Sequence, residues 1–288
     1  MNDVLLKKMQ VVQKSEITEY WFYYYIAKRE KNIHNKEVLN HIADVELSHY
    51  HFWRAFTKKD CTPNYLRVFW YYIIVIFLGL TFGIRLMEKK RKRIKKLYSE
   101  LSEAIDGIND IIRDENDHEK MHIDELDEER LKYMGSIVLG LNDALVEFTG
   151  AIAGFTFALG NSRLIALAGL ISGISASLSM ASSEYLATKQ NYSVKYALRS
   201  AISTGLAYFV TVIFMILPYF LISNVFICLG LMISIVIIII FIFNYYVSIA
   251  KELKFTKRFI EMTLVSMGIA SLSFIIGILI RNVLGINV

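Results

Sequence analysis

The sequence has few of the residues that interrupt or cross-link a chain. Among its 288 residues only two are proline and two are cysteine. Cys61 and Cys228 lie in different halves, so neither a disulfide framework nor a cysteine-rich metal site is expected. The first 30 residues are charged and aromatic and lack the pattern of a signal peptide. The composition therefore predicts helices joined by short connections and excludes a disulfide-stabilised secreted domain.

The second half of the chain has long stretches without charge. No charged residue occurs from Ser200 to Ala250, a run of 51 positions that is long enough for two membrane spans. A break between them is predicted from Leu217 to Asn224, where Pro218 lies. Other apolar runs predict three more spans, at 137–159, 164–186 and 262–280. The charged residues are concentrated in the first half. We therefore predict an all-α protein, with a four-helix bundle at 1–133 and a five-span membrane domain at 134–288.

The loop charges predict the orientation of the spans. Basic residues are concentrated in the loops after spans two and four, at Lys189, Lys195, Arg199, Lys251, Lys254, Lys257 and Arg258. The opposite side carries only Arg163 and Arg281. Since basic loops stay in the cytoplasm, the bundle is expected there and the C-terminus outside, in a multi-pass protein of the cell membrane.

Two carboxylates lie inside the first predicted span. Asp143 and Glu147 are four residues apart and share one side of a helix, and the same stripe reaches Gly150 and Gly154. That glycine pair would let another helix approach closely. A carboxylate in hydrocarbon costs about 2.5–3.5 kcal/mol on insertion scales. The pair therefore indicates either an ion pathway or a buried, hydrogen-bonded structural pair.

Span two has a small-residue face that ends in a thioether and a carboxylate. The residues on this face are Gly169, Gly173, Ala176, Met180 and Glu184. Met180 alone would indicate packing, but beside Asp143 and Glu147 it is a candidate ligand for a soft-to-borderline divalent metal. Without metal the carboxylates are expected to take up a proton, so that metal and proton compete for one site.

The predicted bundle carries two E-x-x-H motifs. Helix two contains Glu46-Leu47-Ser48-His49, and helix four contains Glu115-Asn116-Asp117-His118. Two such helices, with one glutamate from each of the other two, form the dinuclear carboxylate site of ferritin-like bundles. Glu16 and Glu88 are the available glutamates. The sequence therefore predicts two metal ions per subunit, although a solvated charged face would also produce one such motif.

The sequence leaves open which residues of helix four are ligands and which metal they bind. Glu119 and His122 form a second E-x-x-H one turn later. Oxygen and imidazole ligands favour iron or manganese over a closed zinc site. The basic run from Lys89 to Lys96 is expected to be solvated or to lie near lipid headgroups rather than to bind nucleic acid.

Helix three is predicted as one long helix, with Thr62 as its N-cap and Pro63 at its first position. It contains 17 uncharged residues from Val68 to Ile84, at the lower limit for a span. Crossing would place the metal-ligand candidates on opposite sides of the membrane. We therefore expect a bundle helix whose apolar face packs on a partner subunit or on the membrane surface.

These motifs resemble a known family. Gly140-Leu141-Asn142-Asp143-Ala144, followed by Ser179-Met180-Ala181 and Ser183-Glu184-Tyr185-Leu186, is similar to the vacuolar iron transporter family. The N-terminal half resembles the rubrerythrin- and ferritin-like domain of its membrane-bound ferritin branch. The resemblance implies five-span subunits that form homodimers and export Fe²⁺ or Mn²⁺ from the cytosol in exchange for protons. It places the transport residues at Asp143 and Met180.

The sequence departs from the family pattern at two places. The loop after span two is short, whereas plant-type members carry a glutamate-rich, metal-collecting insertion there. Arg91 stands where rubrerythrin-like sites often have a second glutamate, which argues against peroxidase chemistry. The alternatives are a membrane-anchored di-iron oxidase or peroxidase, and a bundle that senses iron without catalysis. The sequence does not separate sensing from ferroxidase activity.

Overall fold

The computed structural model describes residues 3–89, 91–102, 105, 107, 108, 111, 112, 126 and 133–284. Within these residues all regular secondary structure is helical, which confirms the predicted all-α class. The chain divides into two compact units, Met1–Glu128 and Glu129–Val288.

The first unit is built on a helical hairpin. Helix α1 covers Asp3–Arg29 and helix α2 covers Ile33–Thr57. Asn32 begins α2 because its side-chain oxygen accepts hydrogen bonds from the backbone N–H groups of His34 and Asn35, at 3.0 and 3.4 Å. The short loop makes the two helices antiparallel neighbours, and their facing sides bury the polar residues described below.

The third predicted helix is divided into three, so the single continuous helix was wrong. These helices are α3 (Tyr65–Leu78), α4 (Leu80–Lys89) and α5 (Lys92–Leu101). The break between α3 and α4 is at Gly79, whose φ of +103° is a conformation that other residues rarely adopt. After this break α3 and α4 lie so close that a side chain at Gly83 would collide with Val75.

The predicted start of helix three was also wrong. Asn64, not Thr62, is the N-cap, because its side chain accepts a hydrogen bond from the backbone N–H of Arg67 at 3.1 Å. Pro63 therefore precedes the helix instead of opening it. At 14 residues, α3 is shorter than the roughly 20 residues that a span needs.

The second unit contains five helices that are long and apolar enough to cross a membrane, as predicted. The spans are Met134–Leu159, Ser162–Lys189, Val194–Leu221, Val225–Ala250 and Phe255–Leu284. The break between spans three and four lies at 222–224, inside the predicted segment. Span one is not a uniform α-helix: a π-helical turn, Ala144–Phe148, separates Met134–Asp143 from Thr149–Leu159.

Glycines let the spans pack closely. The predicted approach of another helix at Gly150 and Gly154 is confirmed, and the neighbour is span five. A Cβ atom on Gly150 would lie 2.9 Å from the Ser273 hydroxyl, and one on Gly277 would lie 3.0 Å from the Gly154 carbonyl. Span two packs along span three, where a Cβ atom on Gly205 would lie 2.8 Å from that of Ala181. These contacts hold span one, with its two carboxylates, against the rest of the unit.

Candidate metal centres

The first candidate centre lies between α1 and α2. The structure brings together Glu16 of α1 with Glu46 and His49 of α2, three residues predicted as ligands. One ligand atom from each lies within 4.8 Å of the others. The Nδ1 atom of His49 is 3.8 Å from Oε2 of Glu16 and 3.9 Å from Oε2 of Glu46. All three residues are at most 5% exposed, so their polar atoms are largely shielded from water.

A chain of hydrogen bonds orients Glu16. The Tyr98 hydroxyl donates to Oε1 of Glu16 at 3.0 Å and accepts from the Trp53 indole N–H at 3.4 Å. The other oxygen, Oε2, receives no hydrogen bond from the described residues and faces His49. Two carboxylates and one imidazole within this spread fit a divalent ion with ligand distances of about 2.0–2.2 Å after small shifts. These residues could therefore hold a metal.

Sequence reasoning missed two other members of this cluster as site residues. Glu19 is 1% exposed, and its Oε1 accepts a hydrogen bond from the Ser15 hydroxyl at 2.9 Å. Its position three residues after Glu16 places it on the same helix face, a signal that was available in the sequence. Arg91 is 2% exposed and forms ion pairs with Glu16, Glu19 and Glu46. It was noted only as a departure from a family pattern.

Glu88 lies within electrostatic reach of the same cluster. Burial raises the pKa of the Tyr23 phenol well above its usual value, and the charges of Glu88, Glu46 and Glu19 raise it further, whereas Arg91 lowers it. Tyr23 therefore lies near all four charged groups and stays neutral. The remaining predicted ligands, Glu115, His118, Glu119 and His122, lie outside the described residues.

The second candidate centre is the carboxyl pair of span one. Asp143 and Glu147 lie side by side, close enough for a hydrogen bond between their carboxyl groups. Asp143 is half-buried and ends an α-helix, and Glu147 is exposed and lies in the π-helical turn. Thr149 donates a hydrogen bond to the Leu145 carbonyl of this turn at 2.7 Å. Such turns are frequent at functional sites because they change the direction of side chains within a helix.

Tyr208 of span three is a further residue of this centre that sequence reasoning missed. It is 1% exposed, and its phenol lies close enough to interact with the charges of both Asp143 and Glu147. Its hydroxyl has no hydrogen-bond partner among the described residues. The tyrosine thus supplies a buried polar group beside the carboxyl pair. A lone tyrosine in an apolar span gives no sequence signal for such a role.

Glu184 and Met180 of span two have different surroundings. Oε1 of Glu184 accepts hydrogen bonds from three hydroxyls, those of Ser136 at 2.7 Å, Ser200 at 2.6 Å and Thr188 at 3.0 Å. Ser136 and Ser200 are also hydrogen-bonded to each other. Met180 is half-buried and packs against the apolar core of the unit. Glu184 therefore lies at one end of the membrane unit, where span two ends and spans one and three begin.

A comparison with known protein families matches the segment that contains the second candidate centre. Residues 134–199 match the model of the VIT family. The match contains spans one and two and all four predicted transport residues, Asp143, Glu147, Met180 and Glu184. It supports membership of this family and implies metal-ion transport across a membrane. No curated protein matches the chain.

Proposed function

We propose, on the premise that the chain belongs to the VIT family, that it exports Fe²⁺ or Mn²⁺ from the cytosol in exchange for protons. The observation that carries this proposal is the carboxyl pair of Asp143 and Glu147 inside a membrane span. Two carboxylates this close inside a membrane need a compensating positive charge, which either a proton or a metal ion can supply. Metal and proton would therefore compete at one site.

The order of residues along spans one and two supports a pathway. Glu184 is hydrogen-bonded to Ser136, seven residues before Asp143. At 1.5 Å per residue, Asp143 lies about 10 Å deeper than Ser136, and Met180 lies about 6 Å deeper than Glu184. We infer that Glu184 receives the ion near the cytosolic ends of the spans. Asp143, Glu147 and Met180 then replace part of its water shell.

A homodimer would cover polar groups that one subunit exposes. Glu147 is exposed on the membrane unit although it lies inside span one. Span two likewise exposes the hydroxyl residues Ser175, Ser179, Ser182 and Ser183. Polar groups in this position face a cavity or another helix because exposure to lipid is costly. We infer that a second copy of the chain packs on this unit and completes the pathway.

For the bundle we propose capture of cytosolic metal through Glu16, Glu46 and His49. Their burial and the oriented Glu16 carboxylate favour this role. The predicted second ion would need Glu88 together with ligands from helix four, Glu115 and His118 or Glu119 and His122. Iron bound in this way would supply ferroxidase chemistry or a sensing signal. An enzyme that used the spans only as an anchor would not need carboxylates inside the membrane.

The orientation predicts a labelling pattern. In a background without Cys61 and Cys228, a cysteine at His34 is expected to stay unlabelled by an impermeant maleimide in intact cells. His34 is exposed, and the positive-inside pattern together with the short α3 keeps α2 in the cytoplasm. A cysteine at Arg163, in the opposite loop, is the matched control and is expected to be labelled. Labelling of position 34 without permeabilisation would contradict this topology.

Transport itself is tested in sealed vesicles that contain the purified protein. We expect anaerobic Fe²⁺ uptake that saturates and that Mn²⁺ inhibits, whereas Mg²⁺ does not, because a thioether ligand favours softer ions. A metal-quenched dye trapped inside the vesicles reports the uptake. Uptake no faster than in protein-free vesicles would contradict the proposal.

A further inference from the structure

The guanidinium of Arg91 lies among the buried glutamates Glu16, Glu19 and Glu46, which form the acidic cluster of the bundle. The guanidinium of Arg91 places Nη1 at 3.0 Å from Oε2 of Glu19 and 3.3 Å from Oε1 of Glu46. Its Nη2 is 3.5 Å from Oε2 of Glu16. Two of these three carboxylates belong to the group that could hold a metal. Arg91 therefore neutralises the same side chains that a metal ion would neutralise.

The buried glutamates and Arg91 together carry a net negative formal charge. Glu16, Glu19 and Glu46 are 0%, 1% and 5% exposed, so ionised carboxylates here need a compensating charge. These three carboxylates and one guanidinium sum to a formal charge of −2, and Glu88 adds further negative charge nearby. A divalent cation can therefore bind while the guanidinium stays in the cluster.

A metal ion at this site and the guanidinium would approach the same oxygen of Glu16, while Arg91 contacts the other oxygen of Glu46. An ion bound by Glu16, Glu46 and His49 uses the oxygen of Glu16 that Arg91 approaches, and two cations that close repel each other. Glu19 offers the guanidinium of Arg91 an alternative ion-pair partner. It is outside the ligand group, makes the shortest of the three ion pairs with Arg91, and is fixed by the Ser15 hydroxyl.

We propose that Arg91 is a resident counter-cation that competes with the metal for Glu16 and Glu46. Without metal the guanidinium holds the three carboxylates together, and when metal binds it withdraws onto Glu19. The proposal rests on metal binding by the bundle, proposed above. Arg91 lowers the affinity of the site, which suits an ion that must be passed on.

The test is a Mn²⁺ titration of the full-length protein, with free Mn²⁺ measured by electron paramagnetic resonance. All variants carry Asp143→Asn, so that the titration reports the bundle rather than the membrane site. Arg91→Gln is expected to bind Mn²⁺ at least about tenfold more tightly, because a competing charge is gone. Glu19→Gln is expected to bind at least about tenfold more weakly, because the guanidinium then stays on Glu16 and Glu46. Arg91→Lys keeps the charge and is expected to stay near the parent affinity.

The opposite changes in Mn²⁺ affinity distinguish competition by Arg91 from a purely structural role of this residue. Unchanged or weaker binding by Arg91→Gln would overturn the inference, since an arginine that only positions the ligands lowers affinity when it is removed. If Arg91→Gln does not fold, the double variant with Glu19→Gln restores its charge balance. It is expected to bind more tightly than Glu19→Gln alone, and equal or weaker binding would overturn the inference. Absence of binding by the Asp143→Asn protein itself would contradict the proposed metal site of the bundle instead.

Discussion

Asp143→Asn protein is expected to lose metal flux while it still inserts, folds and dimerises. The substitution is nearly isosteric, but it removes one of the two carboxylates that the proposed metal–proton exchange requires. Interactions with a charged group contribute about 1.5–3 kcal/mol, so we expect flux to fall at least about tenfold. Vesicle uptake of Fe²⁺ measures the flux, and size-exclusion chromatography in detergent measures the fold and the oligomeric state.

Glu252→Gln is the matched control for this change. Glu252 is an exposed carboxylate in the loop between spans four and five, so the same carboxylate-to-amide exchange occurs outside the proposed site. We expect its flux to equal that of the parent. Parent-like uptake by correctly inserted Asp143→Asn protein, with the same pH dependence, would show that the ion follows another path.

The second large effect is expected at Glu46. Glu46→Gln removes a carboxylate from the three-residue ligand group and also one of the ion-pair partners of Arg91. Changes in groups that only support metal ligands cost 10–100-fold in affinity. For a ligand itself we expect a loss of at least about 100-fold. In the Asp143→Asn background, anaerobic Fe²⁺ titration of the full-length protein measures the number and affinity of the remaining sites.

Glu37→Gln on the same helix serves as the control for Glu46. Glu37 is exposed, so this change has the same chemistry without touching the cluster, and Fe²⁺ binding should not change. Unchanged stoichiometry and affinity in Glu46→Gln would mean that the bundle binds metal elsewhere or not at all.

Much of the architecture could be predicted because the relevant signals are local. Long uncharged runs predict the five spans, and the positions of Glu46 and His49 on one helix face follow from their spacing. Their contact with Glu16 was predicted from a resemblance between motifs rather than from spacing alone. In the structure it depends on the antiparallel hairpin of α1 and α2.

Other features depend on the backbone or on tertiary contacts that a linear pattern does not reveal. The apolar run through Gly79 predicts an uninterrupted helix, yet the glycine adopts a positive φ and the chain turns back there. Hydrophobic periodicity does not distinguish the π-helical turn at Ala144–Phe148 from regular helix. Arg91 lies in a basic run that indicates solvent exposure, but the deficit of positive charge around three buried glutamates places it in the core.

The central claim, metal–proton exchange through Asp143, is tested most directly by following Fe²⁺ and lumenal pH together in one set of vesicles. With Fe²⁺ added outside, we predict that uptake makes the lumen more alkaline and that an acidic lumen accelerates uptake. Asp143→Asn vesicles are predicted to show neither signal. Fe²⁺ uptake that leaves lumenal pH unchanged and does not respond to a pH gradient would contradict the exchange.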